Sequence, residues 1–375
     1  MNRLFSLLVL VFTLFLASFN ASAQEEPSAS IEAVAPHSEA KEGLDIKKII
    51  FDHVGDAHEW HFITLGSGEH KTHVSIPLPI ILYSPSKGMS IFSASKFGHE
   101  GHREITEDGY QLNEAGKIEA TDGSVVYDFS ITKNVASMLI SVVLLLVIML
   151  GVAKKYKQNG AMTAPTGFQN ALEPVITFVR DEVAVPNLGH KANRFMPILL
   201  TFFFFIWINN LLGLIPGGAN FTGNIAVTAC LALITFLVMI FRANGHFWGH
   251  LLNPPGVPFG IKLLLVPIEI ISLFIKPVAL TIRLFANILA GHIIILSIVC
   301  MIFIFGTMSP VAGWGFSPVS VAFSIFMFCL ELLVGAIQAF IFTTLTAVFI
   351  GQAVDEGHGH DDGQHHHVSE NEIIA

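Results

Sequence analysis

Charged residues are scarce in this chain, and their scarcity excludes an ordinary soluble protein. Asp, Glu, Lys and Arg make up 13% of the 375 residues, against about 25% in soluble globular domains. Hydrophobic residues make up 52% of the chain, and its mean hydropathy is +0.63. The composition therefore predicts a polytopic membrane protein with some soluble sequence attached.

Features of nucleic-acid-binding proteins and of common enzymes are also missing. The 20 Lys and Arg residues are outnumbered by 29 Asp and Glu, giving a net charge of -9, which argues against nucleic-acid binding. The three cysteines lie in apolar stretches, so neither a disulfide framework nor a thiolate metal site is expected. The sequence has no Gly-x-x-x-x-Gly-Lys-Ser/Thr phosphate loop. We predict no catalytic residues, no metal site and no cofactor.

Residues 1–23 resemble a signal peptide, because Arg3 precedes an apolar core that ends in small residues. An uncleaved anchor is the alternative. Residues 24–133 are polar with short strand-like runs, and they would form an extracytoplasmic (periplasmic) region whose fold the pattern does not specify. Residues 134–352 form the membrane domain. Residues 353–375 form an acidic, His-rich cytoplasmic tail that is predicted to be solvated, with metal binding as the alternative.

Apolar runs predict an all-α polytopic membrane protein with about five membrane-crossing helices. The last two runs are much longer than the roughly 20 residues that span a bilayer, so these helices are expected to be strongly tilted. A helical pattern over residues 169–185 predicts an amphipathic helix at the inner surface, with a plain cytoplasmic loop helix as the alternative. The crossing runs are 135–152, 195–215, 225–241, 258–305 and 318–350.

The distribution of charge between the runs predicts the orientation of the protein. Lys154 follows the first run, and Arg242 and Lys262 flank the connection after the third, which places these segments in the cytoplasm. Connections 216–224 and 306–318 carry no charge and fit the outer side. The N-terminus would then lie outside the membrane and the C-terminus inside.

Polar residues in the long apolar runs recur at spacings that place them on one face of a helix. Glu269, Lys276 and Arg283 are spaced by seven residues, so each lies only about 20° around the helix from the last, and Asn287 joins their face. An arginine at the centre of a spanning helix costs about 2.5–3.5 kcal/mol, and Arg283 is far from either end of its run. Such a charge predicts a function in ion transport.

Three further residues extend this polar set. Glu331 and Gln338 are also seven residues apart, and His292 lies nine residues after Arg283, on the opposite side of its helix. Ionisable groups at this depth usually mark an ion path, and His and Glu are natural proton carriers. A structural polar network is the alternative, and it stays open for Asn209, Asn210 and Asn224.

These residues resemble subunit a of the F-type ATP synthase membrane sector over about residues 130–352. The resemblance implies a stator subunit, without a catalytic site of its own, that lies beside a rotating ring of c subunits in the bacterial inner membrane. Two half-channels would carry protons to and from the carboxylate of each c subunit, and Arg283 would be the essential arginine. The matching motifs are Lys276-Pro277, Arg283-Leu284-Phe285-Ala286-Asn287, Ala290-Gly291 and Gln338-Ala339-Phe340.

The family assigns proton translocation to a defined set of residues and implies defined partners. The partners are the c-ring, subunit b of the peripheral stalk, the catalytic head through that stalk, and the lipid membrane. The translocation residues are Arg283, His292, Glu331, Glu269, Gln338 and Asn287. Lys276 matches a basic family position without a defined role, and it is a candidate for half-channel lining together with Asn209, Asn210 and Asn224, whose candidacy does not come from the family.

The chain departs from many bacterial family members at one pair of positions. Those members have Glu nine residues after the arginine and His seven residues before the glutamine. Here the same two positions hold His292 and Glu331, so the two residue types are exchanged. Mitochondrial members of the family show a similar pattern. The exchange suggests that the two residues share one half-channel, and it leaves the order of proton transfer open.

Three alternative functions remain from the sequence. A sodium-translocating relative would need several oxygen ligands on the path, and His292 fits protons better. A secondary transporter usually shows an internal repeat, which this chain lacks. A membrane enzyme would need a nucleophile or metal constellation, which the sequence does not offer.

Overall fold

The structure is a computed structural model that describes residues 55–65, 72–97, 109–113, 117–160, 167–215, 218–219 and 221–354. The predicted signal peptide (1–23) and the tail beyond residue 354 lie outside these residues. The described chain begins with short strands and continues as a bundle of long helices.

Within the described residues, antiparallel strands form three small sheets ahead of the helices. Their orders are β1–β2, β4–β3–β7 and β5–β6. Side chains of β3 alternate, because Ile80 and Leu82 are buried while Tyr83 is exposed. The buried side packs on Phe92 and Tyr110 to form a small core. The strands are β1 (Glu59–Leu65), β2 (Thr72–Pro77), β3 (Pro79–Ser84), β4 (Gly88–Ser93), β5 (Tyr110–Leu112), β6 (Ile118–Ala120) and β7 (Tyr127–Asp128).

Backbone and side-chain contacts join this β region to the first membrane helix. The Lys133 backbone N–H donates to the Ala57 carbonyl oxygen at 2.9 Å. The Asn134 backbone N–H donates to Asp56 Oδ1 at 3.2 Å. Within the β region, His58 Nε2 lies 2.9 Å from Asp128 Oδ2. Burial opposes ionisation of Asp128, but hydrogen bonds with His58 and Ser130 hold the pKa of its carboxyl below the usual value. The β region is therefore attached to the bundle where the first helix begins.

Five helical spans within the described residues are long and apolar enough to cross a membrane, as the composition predicts. The last two helices contain 50 and 45 residues, about 75 and 68 Å at 1.5 Å per residue. A hydrocarbon core of about 30 Å requires both to tilt strongly. The helices are α1 (Lys133–Asn159), α2 (Phe168–Phe178), α3 (Val185–Leu188), α4 (Ala192–Leu214), α5 (Ile225–Arg242), α6 (Gly245–Leu252), α7 (Phe259–Met308) and α8 (Pro310–Val354).

The connection between α7 and α8 is much shorter than predicted. The sequence interpretation of 306–318 as a loop is wrong, because Ser309 alone separates the two helices. Ser309 Oγ accepts a hydrogen bond from the Ala312 backbone N–H at 3.2 Å, and Pro310 occupies the first helical position, where proline is favoured. A Cβ at Gly313 would lie 2.8 Å from the Gly306 Cα, so the helices meet there without side chains between them.

The segment 169–185 packs its apolar face against the bundle. Its helix α2 continues through a π-helical turn, Val179–Ala184, into α3. Val179 and Val183 are fully buried in the main core, and the Phe178 ring lies 5.3 Å from the ring of Phe340 on α8. The amphipathic pattern therefore marks a helix that supports α8.

Candidate functional site

Arg283 lies on the outward face of α7. Leu284 and Ile288 point into the main core, and the helical repeat therefore turns Arg283 away from it. Arg283 is exposed, and its neighbour Ile282 is 54% exposed. No residue in the described part of the chain forms a hydrogen bond or ion pair with its guanidinium. A permanent cation thus lies on an apolar surface that the described residues leave uncovered.

One helical turn after Arg283, α7 and α8 are joined by a polar contact. Asn287 Nδ2 donates to Gln338 Oε1 at 3.0 Å, so the two residues meet across the helices as well as sharing a motif. Gln338 is buried, and its side-chain nitrogen finds no partner among the described residues. The contact holds the side-chain amide of Gln338 beside the helical turn of α7 that carries Arg283.

His292 and Glu331 form a buried pair on the other side of α7. His292 Nδ1 lies 2.6 Å from Glu331 Oε1, and the two side chains are only 14% and 5% exposed. His292 Nε2 lies 3.0 Å from the carbonyl oxygen of Gly213. Gly213 is near the end of α4, where helix carbonyls lack intrahelical partners. The structure therefore brings together the two residues that the sequence suggested as partners.

The hydrogen-bond pattern determines where protons reside in this pair. A carbonyl oxygen can only accept, so His292 Nε2 carries a proton toward Gly213. The contact between His292 Nδ1 and Glu331 then holds one further proton, which gives either an imidazolium with a carboxylate or an imidazole with a carboxylic acid. Movement of that proton between the two groups needs no rearrangement of heavy atoms. This geometry would suit a two-residue proton relay.

Gly291 makes the close approach of Glu331 to α7 possible. A Cβ at Gly291 would lie 2.8 Å from Glu331 Oε1 and 2.9 Å from its Cδ, inside normal contact distance. Any larger residue would displace the carboxylate from His292. Gly291 is part of the family motif, but the sequence alone does not show that it contacts Glu331.

The Gly291→Ala substitution is therefore expected to lower proton translocation about tenfold. The added methyl group would push the Glu331 carboxylate away from His292, and a barrier to proton transfer that rises by about 1.4 kcal/mol corresponds to a factor of ten in rate. Dye-monitored, ATP-driven pumping in inverted vesicles measures the effect. Gly260→Ala is the matched control, because a Cβ at Gly260 on the same helix meets nothing within 4 Å. Equal pumping rates for both variants would contradict the assigned role of Gly291.

A second polar cluster lies on α7 toward its N-terminus. Lys276 Nζ donates to Gln352 Oε1 at 2.9 Å and lies 5.3 Å from the centre of the Phe349 ring. Glu269, two turns earlier, has a buried carboxylate oxygen without a partner among the described residues. Gln352 was not identified from the sequence, because a glutamine at the end of an apolar run carries no pattern of its own.

Two of the three asparagines make hydrogen bonds that stabilise helix packing. Asn210 Nδ2 donates to the Gly335 carbonyl at 3.0 Å, and its Oδ1 accepts from Thr222 Oγ1 at 2.8 Å. Asn224 caps α5, since its Oδ1 accepts from the Ala226 backbone N–H at 2.9 Å. These contacts favour the structural alternative for both residues, and a place in a half-channel stays a prediction.

Asn209 differs from the other two asparagines. Its Nδ2 donates to the Phe205 carbonyl of its own helix at 2.8 Å. Its buried Oδ1 has no partner among the described residues, a property it shares with Glu269, Glu331 and Gln338. A buried polar atom without a partner costs about 1–3 kcal/mol. These four atoms are therefore positions at which water or a proton carrier would be stabilised.

Comparison with known proteins places the membrane helices in a family. The family model described as "ATP synthase A chain" matches residues 135–351, and a "domain of unknown function (DUF8433)" matches residues 49–137. The "ATP synthase subunit a" of Chloroherpeton thalassium is 48% identical over 245 residues, covering 62% of this chain and 71% of the relative.

Two further relatives show the same match. The "ATP synthase subunit a 2" of Chlorobaculum tepidum is 44% identical over 240 residues, covering 63% of this chain and 66% of the relative. The "ATP synthase subunit a" of Chlorobium phaeobacteroides is 42% identical over 248 residues, covering 64% and 70%. The chain therefore belongs to the ATP synthase A chain family of non-catalytic membrane-sector subunits of the F-type ATP synthase.

Proposed function

We propose that this subunit conducts protons through two offset half-channels and couples their movement to rotation of the c-ring, and so to ATP synthesis. The observation that carries the proposal is the placement of Arg283. It is an exposed cation on a membrane-embedded apolar face, without a partner among the described residues. An ionised carboxylate on a neighbouring c subunit would supply the missing counter-charge.

The chemistry of arginine suits this position. Its guanidinium stays protonated in proteins, so it attracts an ionised ring carboxylate and has little attraction for a protonated one. For the same reason it cannot relay a proton, and it separates the two half-channels. One charge that crosses 100 mV supplies about 2.3 kcal/mol, comparable to the cost of placing Arg283 in the membrane.

Polar groups lie on both sides of Arg283 along α7, which supports two half-channels rather than one continuous pore. Glu269 precedes it by 14 residues and His292 follows it by nine, about 21 and 14 Å along the helix axis. We assign the pair His292–Glu331 to one half-channel and the cluster of Glu269 and Lys276 to the other. One half-channel would deliver protons to the ring carboxylate, and the other would take them away.

Asn287 and Gln338 are proposed to hold in place the helical turn of α7 that carries Arg283. Their hydrogen bond of 3.0 Å ties α7 to α8 one turn from Arg283. Asn209, with its buried and unpartnered oxygen, is proposed to line the half-channel of His292. Asn210 and Asn224 would support that lining through the contacts they make with α8 and α5.

The proposed partners and location follow from the same assignment. The c-ring would pack against the outward faces of α7 and α8, and subunit b would link the complex to the catalytic head. The protein would lie in the bacterial inner membrane, with residues 24–133 in the periplasm after removal of residues 1–23, the membrane domain at 134–352, and residues 353–375 in the cytoplasm.

ATP-driven proton pumping in inverted vesicles tests the proposed function. The complex that contains this subunit should acidify the vesicles in sodium-free buffer at a rate that added sodium does not change. Acidification that appears only with sodium would identify a sodium-translocating relative. Purification of the chain without other ATP synthase subunits, together with transport that needs no ATP, would favour an independent transporter.

A further inference from the structure

One face of the three-stranded sheet β4–β3–β7 is apolar and exposed. The pairing places Tyr83 beside both Met89 and Tyr127, and the two tyrosine rings lie 6.3 Å apart. A contiguous apolar patch outside a membrane span commonly marks an interaction site. The apolar sheet face consists of five side chains that are between 44% and 65% exposed: Tyr83, Met89, Ile91, Tyr127 and Phe129.

Charged side chains lie on the opposite side of this sheet. Within strands β3, β4 and β7 the charged residue is Asp128, and the alternation of side chains along a strand points it away from the face of Tyr127. The hairpin β5–β6 packs its Ile118 on the buried face of the sheet. Lys117 and Glu119 are exposed and alternate with Ile118, so they point outward on that side. The β region is therefore apolar on one side and charged on the other.

The apolar sheet face lies close to the point where α1 enters the membrane. Pairing of β7 with β3 continues beyond the strand, since the Ile131 backbone N–H donates to the Pro79 carbonyl at 3.1 Å. The helix begins two residues later, at Lys133. Phe129 is four residues before Lys133, a distance of at most about 14 Å. Hydrogen bonds from the first turn of α1 to residues 56 and 57 hold the β region at this end of the helix.

These observations favour lipid as the occupant of the apolar sheet face. The headgroup layer on each side of the hydrocarbon core is about 5–8 Å thick, so a sheet joined directly to the first turn of a spanning helix lies at that layer. Tyrosine is enriched there, because its ring is apolar and its hydroxyl is polar. The exposed apolar side of α1, which includes Ile140 and Val143, continues from the same end of the helix into the lipid. A charged protein partner would need charges opposite its own, and the described strands offer none on this face.

We propose that the apolar sheet face lies flat on the membrane and packs against lipid of the leaflet that the N-terminal end of α1 enters. The tyrosine hydroxyls remain among the headgroups, while Met89, Ile91 and Phe129 reach the upper part of the acyl chains. The hairpin β5–β6 and its charges face the water. The β region is then a second attachment of the chain to the membrane, one that does not span it. This role belongs to the segment that the domain of unknown function matches, and it does not depend on proton conduction.

Photocrosslinking in the assembled complex identifies what contacts this face. The photoreactive residue benzoylphenylalanine is placed at position 91 of the chain, and the complex is reconstituted in vesicles of phosphatidylcholine and phosphatidylglycerol that contain an alkyne-tagged phosphatidylcholine. Val147 of α1 is the matched positive control, because it is 64% exposed, as Ile91 is. Glu119, on the charged side, is the negative control. Lipid adducts at position 91 should approach those at position 147 and exceed those at position 119 about tenfold or more, since burial of an isoleucine side chain in an apolar medium is favoured by at least that ratio.

Two results would overturn the lipid contact. In the first, lipid adducts at position 91 are as rare as at position 119, so that water covers the face. In the second, position 91 crosslinks mainly to another subunit or to a second copy of this chain, so that protein covers the face. Benzoylphenylalanine in place of Tyr127 repeats the measurement with one aromatic ring exchanged for another, and it decides the question if the chain altered at position 91 fails to assemble.

Discussion

Arg283→Ala is expected to abolish proton-driven ATP synthesis while the complex stays assembled. The interaction of two unit charges about 4 Å apart at an effective dielectric constant near 20 is about 4 kcal/mol, close to a thousandfold in the ionisation equilibrium of the ring carboxylate. Without the guanidinium, no positive charge on α7 would favour the ionised form of the carboxylate as it passes. Assembly should survive, because Arg283 makes no hydrogen bond or ion pair within the described part of this chain.

Proton pumping and ATP hydrolysis, scored in the same inverted vesicles, measure this effect. Ile282→Ala is the matched control, since Ile282 is the adjacent residue and is also exposed on α7. Arg283→Lys should fail to restore coupling, because a lysine amine can release its proton in an apolar environment. Pumping near the unmutated rate in Arg283→Ala would show that the exposed arginine is not the coupling residue.

Much of the site could be predicted from sequence because buried charge is rare in apolar helices. Arg283 and Glu331 stand out for this reason, and spacing by seven residues placed Gln338 on the same face as Glu331. The spacing of residues along one helix shows which of them share a face of that helix. It does not show which residues they contact on another helix. The hydrogen bond between Asn287 and Gln338 therefore became visible only in the structure.

Other features carried no side-chain signal that the sequence could show. The Gly213 carbonyl contacts His292 as a backbone group near the end of α4. Gly291 contributes to the site because it lacks a side chain, which leaves room for Glu331. The connection between α7 and α8 was wrongly predicted as a loop because uncharged residues between two apolar runs resemble one. The pair Ser309-Pro310 was the local signal for a helix start that the charge pattern obscured.

Loss of the contact between His292 and Glu331 is the second change with a large expected effect. Each single alanine variant, His292→Ala or Glu331→Ala, should lose most proton pumping because either one breaks the relay. The double alanine variant should be little worse than the poorer single variant. Contacting residues commonly show coupling energies of about 0.5–3 kcal/mol, and the 2.6 Å contact between His292 and Glu331 predicts a value in the upper part of that range.

The swapped chain, His292→Glu with Glu331→His, gives a sharper test than alanine. His292→Glu alone would place two carboxylates in contact, and one of them would have to hold a proton. Glu331→His alone would leave two imidazoles with no carboxylate. The double exchange restores one acid and one imidazole in the same contact. It should therefore pump faster than either single exchange.

The pumping rates of the three exchanged chains decide whether the pair acts as a unit. A relay depends on the presence of both groups in contact more than on which helix carries each one, so the double exchange should recover part of the activity. Recovery would be incomplete, because the Gly213 carbonyl is placed to accept from an imidazole at position 292 and would face a carboxylate instead. A double exchange that multiplies the two single losses would mean that His292 and Glu331 act independently, and the shared half-channel would have to be abandoned.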